Sequence, residues 1–592
     1  MPAAIASTFR SALAPLLVAA AAGLVLCPNL GGPPLFDEDE PKNAACSLEM
    51  LDAGDWVVPT FNGRLRVAKP PLVNWLQMVG YACLGRDEAG ARAASVAATL
   101  LSCLLTWAIA SRLLGPRQGL WAGLVMASCI WTAVGGRAAT PDAALVAATT
   151  AALWLFAGGL QPPGVDGAAT HQGLGLSPAR GLALGIAMGL AVLAKGPVGF
   201  VVPAFAFALF VLWETRPAGG GQLRAWAGGA VMAARRMRPL TVTAAAVAVA
   251  LPWYLWVGLR TDWEWPRRFL LEHNVARFTG PLEGHSGSPL YYLPVLLAGL
   301  FPWSIASLLI VRHTAVSLGR DEPATRRRAV RLLVAWSLSW ILFFSLAGTK
   351  LPGYVWPAYP ALAAVTADFW IAWRHRRTLG DWLMPLAWGS LVAVGLALVA
   401  FGPIARHGFG IALGTTWALA AAGLLSAGGG LLAWRLAVLQ TSRRLVPATL
   451  GAVAVGLSAT LAAVATEEIT TACGPRSLLA DVPEGSRIAM AGTAPPSTVF
   501  YWLAGGHREA VPQVVRPCEA AARLRRGEQT HFLADAEFAE RLLPQLPATH
   551  RVLARSGGLP GGRPLALIGP SGQPPTPPDP WISRATRPAS RP

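Results

Sequence analysis

The stretch that decides the fold is Phe36–Leu76, FDEDEPKNAACSLEMLDAGDWVVPTFNGRLRVAKPPLVNWL. It follows an apolar run from Ser11 to Cys27, long enough to enter a membrane, and carries Asp37, Glu38, Asp39, Glu40, Lys42 and Lys69 in a chain that is only 14% charged. A loop that merely joins two spans needs a few residues and no carboxylate cluster. A loop this long and this polar, directly behind a first hydrophobic segment, reads as half of an active site.

Outward from that loop the chain is apolar. Its 592 residues are 54% hydrophobic, with a mean hydropathy of +0.45, which excludes an ordinary soluble protein and points to an α-helical polytopic membrane protein. Apolar runs predict about thirteen spans, near 11–27, 89–111, 119–134, 141–160, 180–194, 197–213, 239–258, 289–311, 329–347, 351–372, 382–403, 409–434 and 445–465. The segment Pro71–Gly85 is apolar but short and reads as an interfacial helix returning the loop to the bilayer. The first run resembles a signal peptide in length, and Cys27 a lipoprotein cleavage site. Leu26 is too large to precede a lipidated cysteine, so a retained span is expected.

The net charge of +18 would suggest nucleic acid in a soluble chain, but here no basic motif with interleaved aromatics appears, and no nucleic-acid partner is expected. Basic residues in membrane chains mark cytoplasmic loops and contact lipid headgroups. Arg235, Arg236 and Arg238, the Arg326–Arg331 group, Arg374, Arg376 and Arg377, and Arg443 with Arg444 alternate correctly for the inside. The first loop, the Lys195 turn, the Arg260–His285 loop, Lys350 and the tail then share the outer face. Basic residues on that face run against the positive-inside tendency, and binding an anion explains them.

Seven cysteines lack CxxC spacing, so neither a zinc nor a redox motif is indicated. Cys473 and Cys518 share the tail and could pair if it is extracytoplasmic. The tail changes composition. SRIAMAG and RPLALIG read as strands, CEAAARLRRGE and DAEFAERLLPQL as helices, and PPTPPDP and RPASRP as disordered chain. The expected organisation is a membrane domain over 1–465 with its outer loop at 28–88, a small extracytoplasmic α/β domain over 466–570, and a Pro-rich tail over 571–592.

DEPKNA at Asp39–Ala44, GDWVVPTFNG at Gly54–Gly63 and AKPP at Ala68–Pro71 together resemble the first outer loop of GT-C membrane glycosyltransferases. The similar branch holds the lipid A aminoarabinose transferases and the dolichyl-phosphate-mannose protein mannosyltransferases. AKGPVGFVVP (Ala194–Pro203), LPWYLWVGLR (Leu251–Arg260), HNVARFTGPLEGHSG (His273–Gly287), YYLPVLLAGLFPWS (Tyr291–Ser304) and FSLAGTKLPGYVWPAYPALA (Phe344–Ala363) continue the match in order, so that it covers about residues 20–370.

The resemblance implies a sugar donor on a polyprenyl phosphate, transfer with inversion on the extracytoplasmic face of the cell inner membrane, and a lipid, glycan or protein acceptor. It puts Asp39 at the reaction centre as the base for an acceptor hydroxyl, or as a positioning group if the acceptor is an ionised phosphate, with Glu40 beside it. Lys42, Lys69, Lys195 and Lys350 are the expected partners of the donor phosphate, and Arg137, His273, Arg277, Glu283, His285 and Tyr354 are expected around the substrate cavity. Arg137 otherwise pairs with Asp142.

Three residues depart from the family pattern. Lys42 stands for the usual Arg and loses a bidentate fork, Asn43 stands for Tyr, and Ala68 for the Glu before Lys-Pro-Pro. A divalent metal, if one is used, then needs Asp37, Glu38, His273 or His285 instead. The 24 tryptophans read mainly as an interfacial belt, with Trp56 and Trp253 as the ones inside motifs. Two rival readings are a lipid-linked-sugar transporter or flippase, which would place its polar groups at the membrane midplane, and a dead scaffold, which the Asn43 and Ala68 departures suggest.

Overall fold

The structure is a computed structural model describing residues 2–35, 39–160, 173–216, 223–280, 286–319, 321–374, 381–409, 413–439, 443, 445–464, 475–480, 482–483, 486–492, 495–507, 510–556 and 564–572. Helix α1 (Pro2–Leu26) leads into a long loop whose first helix is α2 (Asp39–Ala53). Asp39 and Glu40 open α2, where unpaired N–H groups favour negative charge, and the missing N–H of Pro41 falls harmlessly in the first turn. A hairpin of β1 (Thr60–Phe61) and β2 (Arg64–Leu65) follows. Its two turn residues, Asn62 and Gly63, both take positive φ, the Asn-Gly turn that suits strand twist. Glu49 of α2 fixes this hairpin by accepting from Thr60 Oγ1 at 2.6 Å and from the Asn62 and Gly63 amides.

The predicted interfacial segment is α3 (Leu72–Leu84). Its exposed side carries Leu76, Val79 and Leu84, while Asn74, Gln77 and Tyr81 are buried. Asn74 Nδ2 donates to Ser47 Oγ at 2.9 Å, Ser47 Oγ donates to Gln77 Oε1 at 2.6 Å, and Tyr81 Oη donates to Ala44 O at 3.0 Å. Helix α4 (Glu88–Leu114) starts on an Asp87 cap and crosses α3 so closely that a Cβ on Gly80 would meet Gly90 O at 2.2 Å.

The bundle continues through α5 (Pro116–Ser128), α6 (Ile130–Gly135), α7 (Asp142–Ala157), α8 (Pro178–Lys195), α9 (Val198–Glu214), the basic amphipathic α10 (Leu223–Arg236) and α11 (Pro239–Arg260). Outer helix α12 (Glu264–Leu270) passes into a π-helical turn over Leu271–Ala276 and the short α13 (Arg277–Thr279). Then come α14 (Tyr292–Gly299), α15 (Ser307–Ser317), α16 (Ala324–Leu346), α17 (Tyr359–Trp373), α18 (Met384–Phe409), α19 (Leu413–Val438) and α20 (Val446–Val464).

Against about thirteen expected spans, six helices among the described residues are long and apolar enough to cross a membrane, or seven with the pair over 289–317, which bends by 118°. The expected spans over 11–27, 141–160, 197–213 and 445–465 are shorter apolar helices, Leu13–Leu26, Asp142–Ala157, Val198–Glu214 and Val446–Ala462. The chain is a multi-pass, predominantly helical membrane protein.

Charged side chains separate the bundle's two ends. At one, Glu214 pairs with Arg328 at 2.8 Å and Arg331 at 3.0 Å, and Asp368 pairs with Arg326 at 2.6 Å and His313 at 3.0 Å. At the other lie the first loop, the α8–α9 turn, the 261–280 segment and the turn after α16. The core between them takes up some of the tryptophans, Trp303, Trp336, Trp340, Trp356, Trp370 and Trp373 being fully buried, while Trp56, Trp154, Trp256, Trp263, Trp382, Trp417 and Trp434 stay exposed.

The tail forms α21 (Pro475–Ala480), β3 (Ile488–Ala491), α22 (Ser497–Ala504), β4 (Gln513–Val514), α23 (Pro517–Arg525), β5 (His531–Asp535), α24 (Ala536–Leu542), β6 (His550–Arg555) and β7 (Leu565–Pro570). The sheet order is β4-β3-β5-β7-β6, parallel from β4 to β5 and antiparallel beyond. The elements read from SRIAMAG, RPLALIG, CEAAARLRRGE and DAEFAERLLPQL are β3, β7, α23 and α24. The sheet unit docks on the first loop: Tyr501 Oη accepts from Leu35 N at 2.9 Å and donates to Glu88 at 3.0 Å, while Asn62 exchanges two hydrogen bonds with the Val511 backbone. Cys473 and residues 573–592 lie outside the described residues, and with them the Cys473–Cys518 pairing.

Candidate active site

Two turns and a π-helical segment bring the cations at this end of the bundle together. Helix α8 ends at Lys195, and Gly196, at φ 85°, turns the chain into α9; a Cβ there would also strike the Phe269 ring at 2.6 Å. The π turn after α12 adds one residue per turn and sets His273, Asn274 and Arg277 on one wall, with Asn274 Nδ2 donating to Phe269 O at 2.8 Å. Backbone bonds from Gly348 N to Phe278 O (2.8 Å) and Thr349 N to Arg277 O (3.1 Å) tie this wall to the turn after α16.

The resulting cavity has a volume of about 450 Å³, and its polar lining residues are Lys69, Lys195, His273, Asn274, Arg277, Thr279, Thr349 and Tyr354, with the Ala68 methyl group beside Lys69. Its other side is apolar, with Val198, Val201, Phe269, Leu270, Val275, Phe278, Phe343 and Phe344. Val201, Leu270, Val275 and Phe278 remain exposed on the flank of the bundle. A polar head and an apolar flank in one cavity fit an amphiphile whose charged end is anionic.

The cations are held rather than merely present. Lys195 Nζ forms an ion pair with Asp142 and lies 4.6 Å from the Tyr354 ring centre. Tyr354 Oη accepts from Arg277 Nη1 at 3.2 Å. Burial lowers the Lys69 ammonium to about 8, against the opposing pull of Asp39. Burial pushes the Asp39 carboxyl up, but Lys69, Arg66, Arg277 and Lys195 together outweigh it and hold Asp39 below the usual carboxylate range. Asp39 therefore stays ionised at neutral pH, inside a ring of four positive groups.

Of the residues predicted from sequence, Asp39, Lys69, Lys195, His273, Arg277 and Tyr354 are brought together. Four others are not. Glu40 is buried, accepts from Ala139 N at 2.7 Å and pairs at 3.2 Å with Arg92, which also donates to the Leu30, Pro33 and Pro34 carbonyls. It locks the loop to α4 and the 138–140 turn instead of facing substrate. Lys350 donates to the Phe344, Ser345 and Ala347 carbonyls, capping α16 where a cation answers the helix's free carbonyls. Arg137 donates to Asn29 O at 3.0 Å, and its expected partner Asp142 pairs with Lys195 instead. Lys42 is half-buried on α2 and lines no part of the cavity. Asp37, Glu38, Glu283 and His285 lie outside the described residues.

Sequence reasoning missed Arg66, which donates to Asn43 Oδ1 at 2.7 Å. It also missed Asp142 as the partner of Lys195. The one sequence signal at this spot was the departure at Asn43. Trp253 does not face a sugar: it is buried in an edge-on pair with Trp265 (4.7 Å between centres) and donates to Val57 O. Among the described residues no group of three His, Cys, Asp or Glu side chains could hold a metal ion, and Ala68 puts a methyl group on the cavity wall where the family pattern has a carboxylate.

The chain has relatives among known proteins. Residues 68–256 match the family model described as dolichyl-phosphate-mannose-protein mannosyltransferase. A Pseudomonas aeruginosa protein named undecaprenyl phosphate-alpha-4-amino-4-deoxy-L-arabinose arabinosyl transferase is 32% identical over 394 residues, 66% of this chain and 64% of that one. Its namesake from Edwardsiella ictaluri is 30% identical over 344 residues, 57% and 56% of the two chains. The chain thus spans less than two thirds of the length of these curated relatives. In fold, it is similar to ArnT from Cupriavidus metallidurans bound to undecaprenyl phosphate, with a TM-score of 0.68 and 22% identity over 95% of this chain and 97% of that one. The same protein in its apo state gives a TM-score of 0.70. In sequence over about two thirds of its length, and in fold over nearly all of it, the chain is similar to these membrane transferases.

Proposed function

We propose that the protein transfers a sugar from a polyprenyl-phosphate carrier to a lipid acceptor on the extracytoplasmic face of the inner membrane, with inversion at the anomeric carbon. The observation that carries this reading is the ionised Asp39, held so by Lys69, Arg277 and Lys195, three cations that line a cavity whose remaining wall is largely apolar. The carrier's isoprene chain lies along that flank, and its phosphate meets Lys69 and Arg277. As the glycosidic bond breaks, negative charge grows on the phosphate, and cations fixed in advance by Asp142, Tyr354 and the π turn lower the barrier without reorganising. Asp39 takes the proton of an acceptor hydroxyl, or orients an acceptor phosphate that needs no base. Attack from the face opposite the phosphate inverts the sugar.

The relatives' names make an aminopentose on undecaprenyl phosphate the first donor to try. The outer-face position of the sheet unit and the domain limits 1–465, 466–570 and 571–592 are part of the same proposal. The test is stoichiometry in lipid nanodiscs: each glycosylated acceptor should appear with one released carrier phosphate. Movement of intact donor across the bilayer with no release would establish the transporter reading instead.

A further inference from the structure

The end of the bundle opposite Asp39 carries a charged surface of its own. Residues 215–261 contain no Asp or Glu, while Arg216, Arg224, Arg235, Arg236 and Arg238 all fall before Pro239. The acid just ahead of them, Glu214, is taken by Arg328 and Arg331. Helix α10 displays part of this charge on one side. Arg224, Gly228, Val231, Met232 and Arg235 follow three- and four-residue spacing and are exposed, whereas Ala230, Ala233 and Met237 keep the same spacing on the opposite side and are buried. Trp226 Nε1 donates to Leu212 O at 3.3 Å, which ties the helix to the end of α9.

The exposed side mixes two kinds of residue. Val231 and Met232 are each about half exposed, and they stand between Arg224 and Arg235. Leu212 of α9 and Leu240 of α11, the latter 85% exposed, bring bare apolar surface up to α10 from both neighbouring helices. In water the two apolar side chains would gain nothing, and in hydrocarbon the arginines would lack a counter-charge. The headgroup layer meets both needs, because apolar side chains reach the acyl boundary while guanidinium groups bind phosphate above it. We infer that the exposed side of α10 is a binding surface for anionic phospholipid headgroups, in the leaflet at the end of the bundle opposite Asp39. This surface is independent of the transferase reading, whose anion lies against Lys69 and Arg277 at the other end.

The test uses the full-length protein in nanodiscs of phosphatidylcholine, alone or mixed with phosphatidylglycerol, and reads amide hydrogen exchange over α10. In wild type, exchange should be roughly tenfold slower with phosphatidylglycerol, the scale expected of one or two arginines at an anionic surface, and the difference should shrink as salt is raised. Arg224→Gln combined with Arg235→Gln should lose that difference while α11 and α16 exchange as in wild type, which shows that the bundle is folded. Arg224→Lys combined with Arg235→Lys, which keeps the charge, should retain most of it. Inorganic phosphate added to phosphatidylcholine nanodiscs should leave α10 unchanged; slowing equal to that seen with phosphatidylglycerol would mean a site for a free anion and overturn the proposal. Equal exchange of wild type in both lipids, as a surface kept for another protein would give, or an undiminished lipid preference in the double Gln variant, would overturn it as well.

Discussion

Asp39 and Lys69 are charged groups whose protonation each depends on the other, and this gives the site a definite pH signature. Lys69 titrates near 8, so the protonated form that attracts phosphate is present below that pH and lost as pH rises through it. The basic limb of kcat/KM should fall near pH 8 and move up by more than one unit in Lys69→Arg, whose guanidinium does not titrate there. Asp39 is held below the usual carboxylate range, so the acid limb should lie lower than an ordinary aspartate would give. Asp39→Asn should reduce kcat by about 10²-fold or more, the scale of a lost general base, while binding of undecaprenyl phosphate holds or tightens because a neighbouring negative charge is gone. Lys69 and Lys195 were legible because each stands against proline in a turn. Lys350 has the same TKLP setting, yet its ammonium ends over the carbonyls of α16, a placement decided by the backbone's path and not by the motif. Arg66 left no signal of its own, because its place depends on a contact with Asn43, 23 residues away.

Among the elements, α2 and the hairpin form a frame that other parts grip. The Glu40–Arg92 pair is the firmest grip, with both side chains almost wholly buried. Removing one partner strands a buried charge, so Arg92→Met should cost on the order of 3–5 kcal/mol and lower the thermal unfolding midpoint. Lys350→Met should likewise reduce stability, by uncapping α16, yet leave affinity for undecaprenyl phosphate within about twofold; a loss as large as that of Lys69→Met would return Lys350 to the anion site. Helix positions were legible from apolar runs because a span must be long and continuous. The π turn over Leu271–Ala276 was not, since it arises from how HNVARF packs on Phe269 and the 348–349 turn rather than from any residue preference. It is nonetheless what aligns His273, Asn274 and Arg277.

For the whole molecule, the division into two ends followed from charge alone: arginines paired with Glu214 and Asp368 at one, mixed-charge motifs at the other. The tryptophans show where composition stops being informative, because a residue suited to the bilayer interface is equally suited to a core built from large rings. The C-terminal sheet contacts the first loop, which carries Asp39 and Lys69, through Tyr501, Asn62 and Val511. Removing residues 466–592 should therefore impair acceptor use more than carrier binding, and equal loss of both in a folded protein would contradict that division. The most direct test of the central claim is a single turnover in nanodiscs, with wild type and Asp39→Asn each preloaded with an undecaprenyl-phosphate sugar and then given acceptor. The account predicts release of carrier phosphate matched by glycosylated acceptor in wild type, and bound but unreacted donor in the variant. Equal release from both proteins would contradict the assignment of Asp39 to the reaction centre.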